Sequence, residues 1–126
     1  MPFFSIIIPS YNRAHIIERA IEGVLGQTFQ DFEIIIVDDG SIDKTEEIIK
    51  QFSNDIRIKY IFQNNSGVCV ARNTGAKKAD GEYLIFLDSD DTVEKYWLED
   101  FYKLNDGAKN IFFCNMRLIR INGQED

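Results

Sequence analysis

Short runs of apolar residues, separated by polar turns, recur along the chain, and their patterns predict strands. Continuous apolar runs cover Phe3–Pro9, Phe32–Val37 and Tyr83–Leu87. Runs of this length without alternation are typical of strands that are buried on both faces of a sheet. Arg57–Phe62 instead alternates polar and apolar residues, which predicts a half-exposed edge strand. A last strand is predicted over Ile111–Ile121.

Helical periodicity fills the segments between several of these runs. Apolar residues recur on one helical face across His15–Gln27, which predicts an amphipathic helix. A second helix is predicted over Gly67–Ala79, where small residues recur on one side and would let the helix lie close against a sheet. These small residues are Ala71, Gly75 and Ala79.

Two further helices are predicted from the residues that would open them. Asp43 and Glu46 have the spacing of a capping box. The apolar face of the helix that follows comprises Ile48, Ile49 and Phe52. The other helix is expected to open at Thr92 or Glu94. Its apolar residues are Trp97, Leu98, Phe101 and Leu104.

The alternation of strands and helices predicts an α/β fold in a single domain over residues 1–126. Continuous apolar strands need cover on both faces, so we expect a mostly parallel sheet between helices, a three-layer α/β/α arrangement. Sheets of this kind bind ligands at the carboxyl ends of their strands, where the strand order reverses.

Composition narrows the functional classes. With 14 Lys and Arg against 21 Asp and Glu, the formal net charge of −7 argues against a nucleic-acid binder. No apolar run reaches the roughly 18–20 residues of a membrane span. The first residues lack a basic, cleavable leader, and Cys69 and Cys114 lie in apolar surroundings without a CxxC. We therefore expect a cytoplasmic protein with reduced core thiols, and the single His15 excludes a multi-histidine zinc site.

Polar clusters follow the carboxyl ends of predicted strands at Pro9–Arg13, Asp38–Ser41 and Asp88–Asp91. Because the carboxyl ends of parallel strands share one edge of the sheet, we expect these clusters to converge. No GxGxxG follows the first strand, and no GxxxxGK[ST] occurs in the chain. A Gly-rich phosphate cradle at a helix N-terminus is therefore not expected.

The expected edge is instead rich in carboxylates, contributed by Asp38, Asp39, Asp88, Asp90 and Asp91. Crowded carboxylates repel one another unless protons or a cation offset their charge. Oxygen ligands without imidazole or thiolate suit Mg²⁺ or Mn²⁺. The residues alone therefore suggest a metal-assisted site for phosphate or a nucleoside diphosphate, although acidic residues after strands are also common turn formers.

Two long strings carry a resemblance to a known family. They are IIIPSYNRAHIIERAIEGVLGQTFQDFEIIIVDDGSIDKT and NNSGVCVARNTGAKKADGEYLIFLDSDD. From Phe4 to about Leu98, the chain resembles the N-terminal half of inverting family 2 glycosyltransferases with the GT-A fold. The resemblance implies a GT-A nucleotide-sugar-binding fold, a nucleotide-activated donor that is most often UDP-linked, and Mn²⁺ or Mg²⁺ as cofactor.

The resemblance also assigns roles to residues near the nucleotide. It places Pro9 and Tyr11 beside the base, with Tyr11 stacking on it. Asp39, with Asp38 behind it, matches the acid that accepts the imide N–H of the base, which favours uracil, thymine or guanine over cytosine. Arg72 matches a residue near the nucleotide that balances the charge of either the phosphates or the acids.

Asp88, Ser89 and Asp90 match the DxD motif of the family. The resemblance makes Asp88 a ribose or metal partner and Asp90 the principal metal ligand, with Asp91 as the alternative ligand. Asn12, Gly40 and Ser41 belong to the matching strings, but we interpret them as turn formers.

The general base of the family lies well beyond the DxD motif, and we expect it beyond Asp126. The chain is therefore interpreted as the donor-binding half of a polysaccharide-building enzyme, truncated on its acceptor side and weakly active or inactive alone. We expect an apolar surface where the other half would pack, and a glycan or lipid-linked acceptor. The intact enzyme is expected to be cytoplasmic or peripheral at a membrane.

Other functional classes stay open from the residues. Leu84–Val93 fits the nucleophile motif of haloacid-dehalogenase-type phosphatases, in which Asp88 would be phosphorylated. A phosphoacceptor receiver domain has a similar length and an acidic pair after an apolar strand, although that pair would end the first strand. A purely structural domain would bind no nucleotide.

Overall fold

The computed structural model describes residues 1–105, in which strands and helices alternate. The strands are β1 (Phe4–Ser10), β2 (Phe32–Asp38), β3 (Ile58–Phe62) and β4 (Tyr83–Phe86). The helices are α1 (Ile17–Leu25), α2 (Thr45–Lys50), α3 (Val68–Lys78) and α4 (Trp97–Leu104). The last predicted strand and Cys114 lie outside the described residues.

The strands form one parallel sheet in the order β3-β2-β1-β4. The chain first runs outward from β1 through β2 to β3 and then crosses back, so the order reverses between β1 and β4. Within the described residues β3 lies at an edge, which confirms the prediction from its alternating pattern. The carboxyl ends of all the strands lie along the same edge of the sheet.

Helices cover both faces of the sheet, which confirms the three-layer α/β/α prediction. Ile6 and Ile8 of β1 pack in one core with apolar residues of α1, α2 and α4. Ile7 points to the opposite face, where it packs with Ala71 of α3. A Cβ at Gly75 would lie 2.5 Å from Cγ2 of Ile7, so a glycine at this position allows α3 to approach the sheet closely.

The prediction that Tyr83–Leu87 is buried on both faces is wrong for β4. Leu84 is 45% exposed and Phe86 is 48% exposed. Both side chains lie on the face of the sheet that α3 covers over β1 and β2, whereas Ile85 packs into the core on the other face. An apolar run specifies a strand, but the cover on each face depends on neighbouring elements.

Two local predictions are also wrong. Asp43 and Glu46 do not form a capping box, because Asp43 accepts hydrogen bonds from the backbone N–H groups of Ala14 and Thr45, while Glu46 pairs with Lys50. Asp43 thereby ties the start of α2 to the β1–α1 loop.

The prediction of a core thiol at Cys69 is wrong as well, because this residue is exposed in the first turn of α3. The buried residues of α3 are instead Ala71 and Gly75, so Cys69 lies off the buried side of this helix. Among residues 1–105, no helix is both long and apolar enough to cross a bilayer.

Candidate site at the carboxyl edge of the sheet

The polar clusters after β1, β2 and β4 come together at the edge where the strand order reverses. The N–H of Asp39 donates to the carbonyl of Ser10 over 2.8 Å, which extends the β1–β2 ladder beyond both strands. The N–H of Leu87 donates to the carbonyl of Ile7 over 2.9 Å and holds the end of β4 against β1. The edge is therefore a topological switch point of the kind where α/β sheets bind ligands.

Asp38 is buried and its carboxylate serves the fold. Its Oδ1 accepts from the Ser41 N–H at 2.9 Å, and its Oδ2 accepts from the Tyr60 hydroxyl at 2.7 Å. Burial and this contact with Asp38 raise the pKa of Tyr60, so the phenol remains a donor. The Asp38 side chain thus links β3 to the β2–α2 loop, on the face of the sheet opposite α3.

Asp39 points to the opposite face, toward the start of α3. Its Oδ1 accepts from Gln63 Nε2 at 2.8 Å and from the Ser66 N–H at 2.7 Å, while its Oδ2 accepts from the Gly67 N–H at 2.9 Å. Burial alone would raise the pKa of Asp39, but these donors outweigh it and lower the pKa below its ordinary value. Oδ2 retains the capacity to accept one further hydrogen bond.

Hydrogen bonds between the loops after β1 and β2 hold the segment that carries Tyr11. Asn12 has a left-handed backbone with φ of 52°, its N–H donates to Ser41 Oγ at 2.9 Å, and its Oδ1 accepts from the Ile42 N–H at 2.9 Å. Tyr11, next to Asn12 in the chain, is 46% exposed, whereas Pro9 is buried. An exposed ring on a fixed loop is suited to stacking.

The acids after β4 form a cluster that fits a hard cation. Asp88, Asp90 and Asp91 each offer a carboxylate oxygen, and these oxygens all lie within 4.8 Å of one another. Asp91 is exposed, but partial desolvation, followed by repulsion from Asp90 and Asp88, raises its pKa. Ser89, between the acids, is buried. An oxygen-only donor set with unbalanced negative charge matches the preferences of Mg²⁺ and Mn²⁺.

Helix α3 connects the Asp39 site with the acidic cluster. Gly67, at its N-cap, donates to Asp39, and Arg72 places Nη2 2.9 Å from Oδ1 of Asp88. The five-residue separation corresponds to a rise of about 7.5 Å along a helix. Among the described residues, Nε of Arg72 is buried without a hydrogen-bond partner. The helix thus links the two sets of acids over a short distance.

Sequence reasoning missed the β3–α3 loop as a part of this edge. The segment from Gln63 to Gly67 supplies every side-chain and backbone donor to the Asp39 carboxylate given above. This segment is a polar run directly after β3, like the clusters after β1, β2 and β4, and that pattern could have predicted its place at the edge. Asn12 and Ser41 do more than form turns, since they join two loops to each other.

The chain is similar to known proteins in both sequence and structure. A sequence model described as "Glycosyl transferase family 2" matches residues 5–126. Glycosyltransferase GlyA of Streptococcus pneumoniae serotype 4 is 42% identical over 100 residues, which are 79% of this chain and 14% of GlyA. The crystal structure of S. aureus TarS 1–349 in complex with UDP-GlcNAc has a TM-score of 0.74 at 34% identity, covering 80% of this chain and 30% of that chain.

A mannosyltransferase from Pyrobaculum calidifontis, PcManGT in complex with GDP-Man and Mn²⁺, is also similar in structure. Its TM-score is 0.78 at 25% identity, covering 84% of this chain and 33% of that chain. The present chain therefore spans about a third or less of the length of these similar proteins.

Proposed function

The chain belongs to glycosyl transferase family 2, and we propose that it forms the donor-binding part of an enzyme that transfers a sugar from a nucleotide diphosphate to an acceptor hydroxyl. The observation that carries the proposal is the position of α3, which contacts Asp39 through Gly67 and Asp88 through Arg72. A nucleotide sugar needs a hydrogen-bond acceptor for its base and a charged site for its diphosphate. Helix α3 connects Asp39, which can supply the first, with the acidic cluster, which can supply the second.

The base is proposed to lie between Tyr11 and Asp39, beside Pro9. Stacking of a base on an exposed aromatic ring is worth about 1–3 kcal/mol. The ionised Asp39 carboxylate can accept the imide N–H of uracil at Oδ2, and Asp38 would act from behind by fixing the loop that carries Gly40.

The diphosphate is proposed to lie at the acidic cluster. Asp90, with Asp88 or Asp91, would hold Mn²⁺ or Mg²⁺, and the buried Ser89 would keep the loop in place. A bound divalent cation would neutralise negative charge on the leaving diphosphate. Arg72 already lies against Asp88, so its guanidinium can support either the acid or a phosphate oxygen.

The donor is proposed to be a UDP-sugar, and TarS, which was crystallised with UDP-GlcNAc, supports this choice. PcManGT was crystallised with GDP-Man and Mn²⁺. Guanine also carries an N–H donor at N1, so an acceptor at Asp39 would suit either base and disfavour cytosine. Family membership favours glycosyl transfer over the phosphatase and receiver alternatives.

Transfer with inversion requires attack of the acceptor hydroxyl from the face opposite the leaving group. A general base expected beyond Asp126 would accept the hydroxyl proton. The acceptor is proposed to be a glycan or a lipid-linked sugar in polysaccharide biosynthesis. The cytoplasmic location, or a peripheral one at a membrane, stays a prediction from the sequence.

A thermal-shift screen tests the proposal. The wild-type chain is heated with UDP, TDP, GDP or CDP, each with and without Mn²⁺, beside Asp90→Ala and the matched control Asp100→Ala, an exposed acid on α4. We expect UDP to stabilise the wild type and the control clearly more with Mn²⁺ than without it, and Mn²⁺ to add nothing to the effect of UDP on Asp90→Ala. Indifference of the wild type to all nucleotides would contradict the proposal.

A further inference from the structure

Gln63 lies between Asp39 and helix α3 and contacts both. Its Nε2 donates to Asp39 Oδ1 at 2.8 Å, and its Oε1 lies 2.7 Å from the Thr74 hydroxyl. The Thr74 hydroxyl also lies 2.9 Å from the carbonyl oxygen of Val70, so its single hydrogen is shared between two acceptors. The backbone N–H of Gln63 donates to the carbonyl of Asp38 at 2.9 Å, which fixes the main chain at this point.

The orientation of the Gln63 amide follows from its neighbours. An ionised carboxylate only accepts hydrogen bonds, so the amide NH₂ must face Asp39. The carbonyl end then faces Thr74, whose hydroxyl can donate to it. The opposite orientation would place the amide oxygen against the carboxylate oxygen, where neither group can donate a hydrogen bond. The amide therefore has one favourable orientation.

The donors are distributed unequally over the two oxygens of Asp39. Oδ1 accepts from Gln63 and Ser66 and so uses both of its lone pairs, whereas Oδ2 accepts only from Gly67. The backbone donors alone would give each oxygen one hydrogen bond. The side chain of Gln63 thus decides which oxygen is saturated and which can accept from a ligand.

We propose that Gln63 is a positioning residue for base recognition, which orients the Asp39 carboxylate so that Oδ2 accepts the N–H of the nucleotide base. The inference rests on the proposed function, because it deepens the role of Asp39 in the same site. Thr74 is the partner that holds the Gln63 amide in place. Thr74 and Arg72 both lie on α3, two positions apart. Gln63 therefore joins Asp39 to the helix that carries Arg72.

The test measures base selectivity and not affinity alone. CDP is the matched probe for UDP, because cytosine has nearly the same shape as uracil but presents N3 as an acceptor instead of an N–H donor. Calorimetry in the presence of Mn²⁺ gives the ratio of the Kd of CDP to that of UDP for the full chain. We expect a wild-type ratio of roughly tenfold or more, since hydrogen bonds to charged groups are the strong ones.

Gln63→Met retains the length of the side chain and removes both hydrogen bonds. We expect it to lower the selectivity ratio by roughly threefold or more, through weaker binding of UDP, and Asp39→Asn to lower it further. Thr74→Val, which leaves Gln63 in place, is expected to lower the ratio to an intermediate value. Gln51→Met is the matched control, because Gln51 is an exposed glutamine outside the site, and its ratio should equal that of the wild type.

The outcomes separate this inference from the function on which it rests. A wild-type chain that binds neither UDP nor CDP contradicts the proposed function and the inference together. A wild-type ratio that falls in Asp39→Asn but is unchanged in Gln63→Met and Thr74→Val overturns the inference and leaves the function standing. If Gln63 had a merely structural role, Gln63→Met would weaken the binding of UDP and CDP equally. That result would also overturn the inference. If Gln63→Met does not fold, Thr74→Val decides alone.

Discussion

The guanidinium of Arg72 lies 2.9 Å from the carboxylate of Asp88 and is thereby held against the first acid of the metal-fitting cluster. Both side chains are partly exposed, and a pair of this kind contributes about 0–1 kcal/mol to the free energy of unfolding. The pair therefore matters for the charge around Asp88 more than for the stability of the fold. Arg72 offsets a carboxylate that a divalent cation would otherwise use.

Replacing Arg72 by methionine is expected to have opposite effects on the two ligands. Without nucleotide, Mn²⁺ should bind up to about fivefold more tightly, because Asp88 is released and a repelling charge is removed. With Mn²⁺ present, UDP should bind roughly tenfold more weakly, because a charge-assisted partner of the diphosphate is lost. Calorimetric titrations with each ligand check this expectation. Arg19→Met, at an exposed position of α1, is the control, and weaker Mn²⁺ binding in Arg72→Met would contradict it.

Replacing Asp91 by asparagine is expected to stabilise the chain when no divalent cation is present. Partial desolvation and the neighbouring acids Asp90 and Asp88 raise the pKa of Asp91, so the folded state binds a proton more tightly than the unfolded state. Stability is then lost as the pH rises from the ordinary pKa of about 3.9 through the raised value. Because Asp91 is exposed, the gain at pH 7 should be at most about 1 kcal/mol.

Thermal unfolding at pH 7 in EDTA measures this gain, with Asp100→Asn as the control. The stabilisation that Mn²⁺ gives to the wild type should be smaller in Asp91→Asn. A lower melting temperature for Asp91→Asn in EDTA would show that Asp91 stabilises the fold in its ionised form.

Much of the fold followed from the order of the residues, for reasons that particular elements illustrate. The apolar runs of β1 and β2 have no alternation, and these central strands are covered on both faces. The alternation in β3 predicted an edge, and the small residues Ala71 and Gly75 predicted the close approach of α3. In each case the pattern reflects an environment that the strand or helix meets along its whole length.

What the sequence could not specify depends on contacts between distant segments. Ser5 and Glu33 are single polar residues within apolar runs, and only the β1–β2 register brings them opposite each other. The hydrogen bonds of Gln63 to Asp39 and Thr74 likewise require the crossover from β3 into α3. The open face of β4 is invisible in an apolar run, because cover comes from elements elsewhere in the chain.

The pair of Ser5 and Glu33 belongs to a polar network at the end of the sheet opposite the candidate site. Glu33 is buried and accepts from Ser5 Oγ at 2.6 Å and from the Asp80 N–H at 2.7 Å, and its other oxygen lies 2.7 Å from Lys59. Burial alone would raise the pKa of Glu33, but Lys59, Ser5 and the Asp80 N–H outweigh it and lower the pKa. The network joins β1, β2 and β3 to the turn that precedes β4.

Glu33→Gln is expected to lower the free energy of unfolding at pH 7 by about 1–3 kcal/mol, since a charged acceptor in a buried network is lost. A lowered pKa means that the stabilisation is present above the ordinary pKa of about 4.3 and is lost as the pH falls through the folded value. The difference between the wild type and Glu33→Gln should therefore shrink between pH 5 and the lowest pH at which the chain stays folded.

Urea unfolding at several pH values checks this expectation. Glu47→Gln, at an exposed position of α2, is the control and should follow the wild type at every pH. A difference between wild type and Glu33→Gln that grows as the pH falls would have the wrong sign for a lowered pKa.

Gly75→Ala tests the contact between α3 and the sheet. Alanine favours helix over glycine by about 0.5–1 kcal/mol, but its Cβ would lie 2.5 Å from Cγ2 of Ile7 and 3.3 Å from Cγ2 of Val37. Overpacking of this kind costs about 1–3 kcal/mol, so we expect net destabilisation in urea unfolding. Gly23→Ala in α1 should be tolerated, because the atoms nearest to its Cβ would belong to Val93 and lie 3.3 Å away or farther. Equal stability of the two variants would contradict the close packing of α3.

The most direct test of a single nucleotide-diphosphate site is calorimetric titration of UDP in Mn²⁺ and in EDTA, with the wild type, Asp39→Asn and Asp90→Asn. We expect one UDP per wild-type chain, bound at least about tenfold more weakly in EDTA. Asp39→Asn should weaken binding in both conditions, because it alters the base contact, whereas Asp90→Asn should weaken it in Mn²⁺ alone. If UDP binds equally well with and without Mn²⁺ and neither substitution changes its Kd, Asp39 and Asp90 do not serve one ligand.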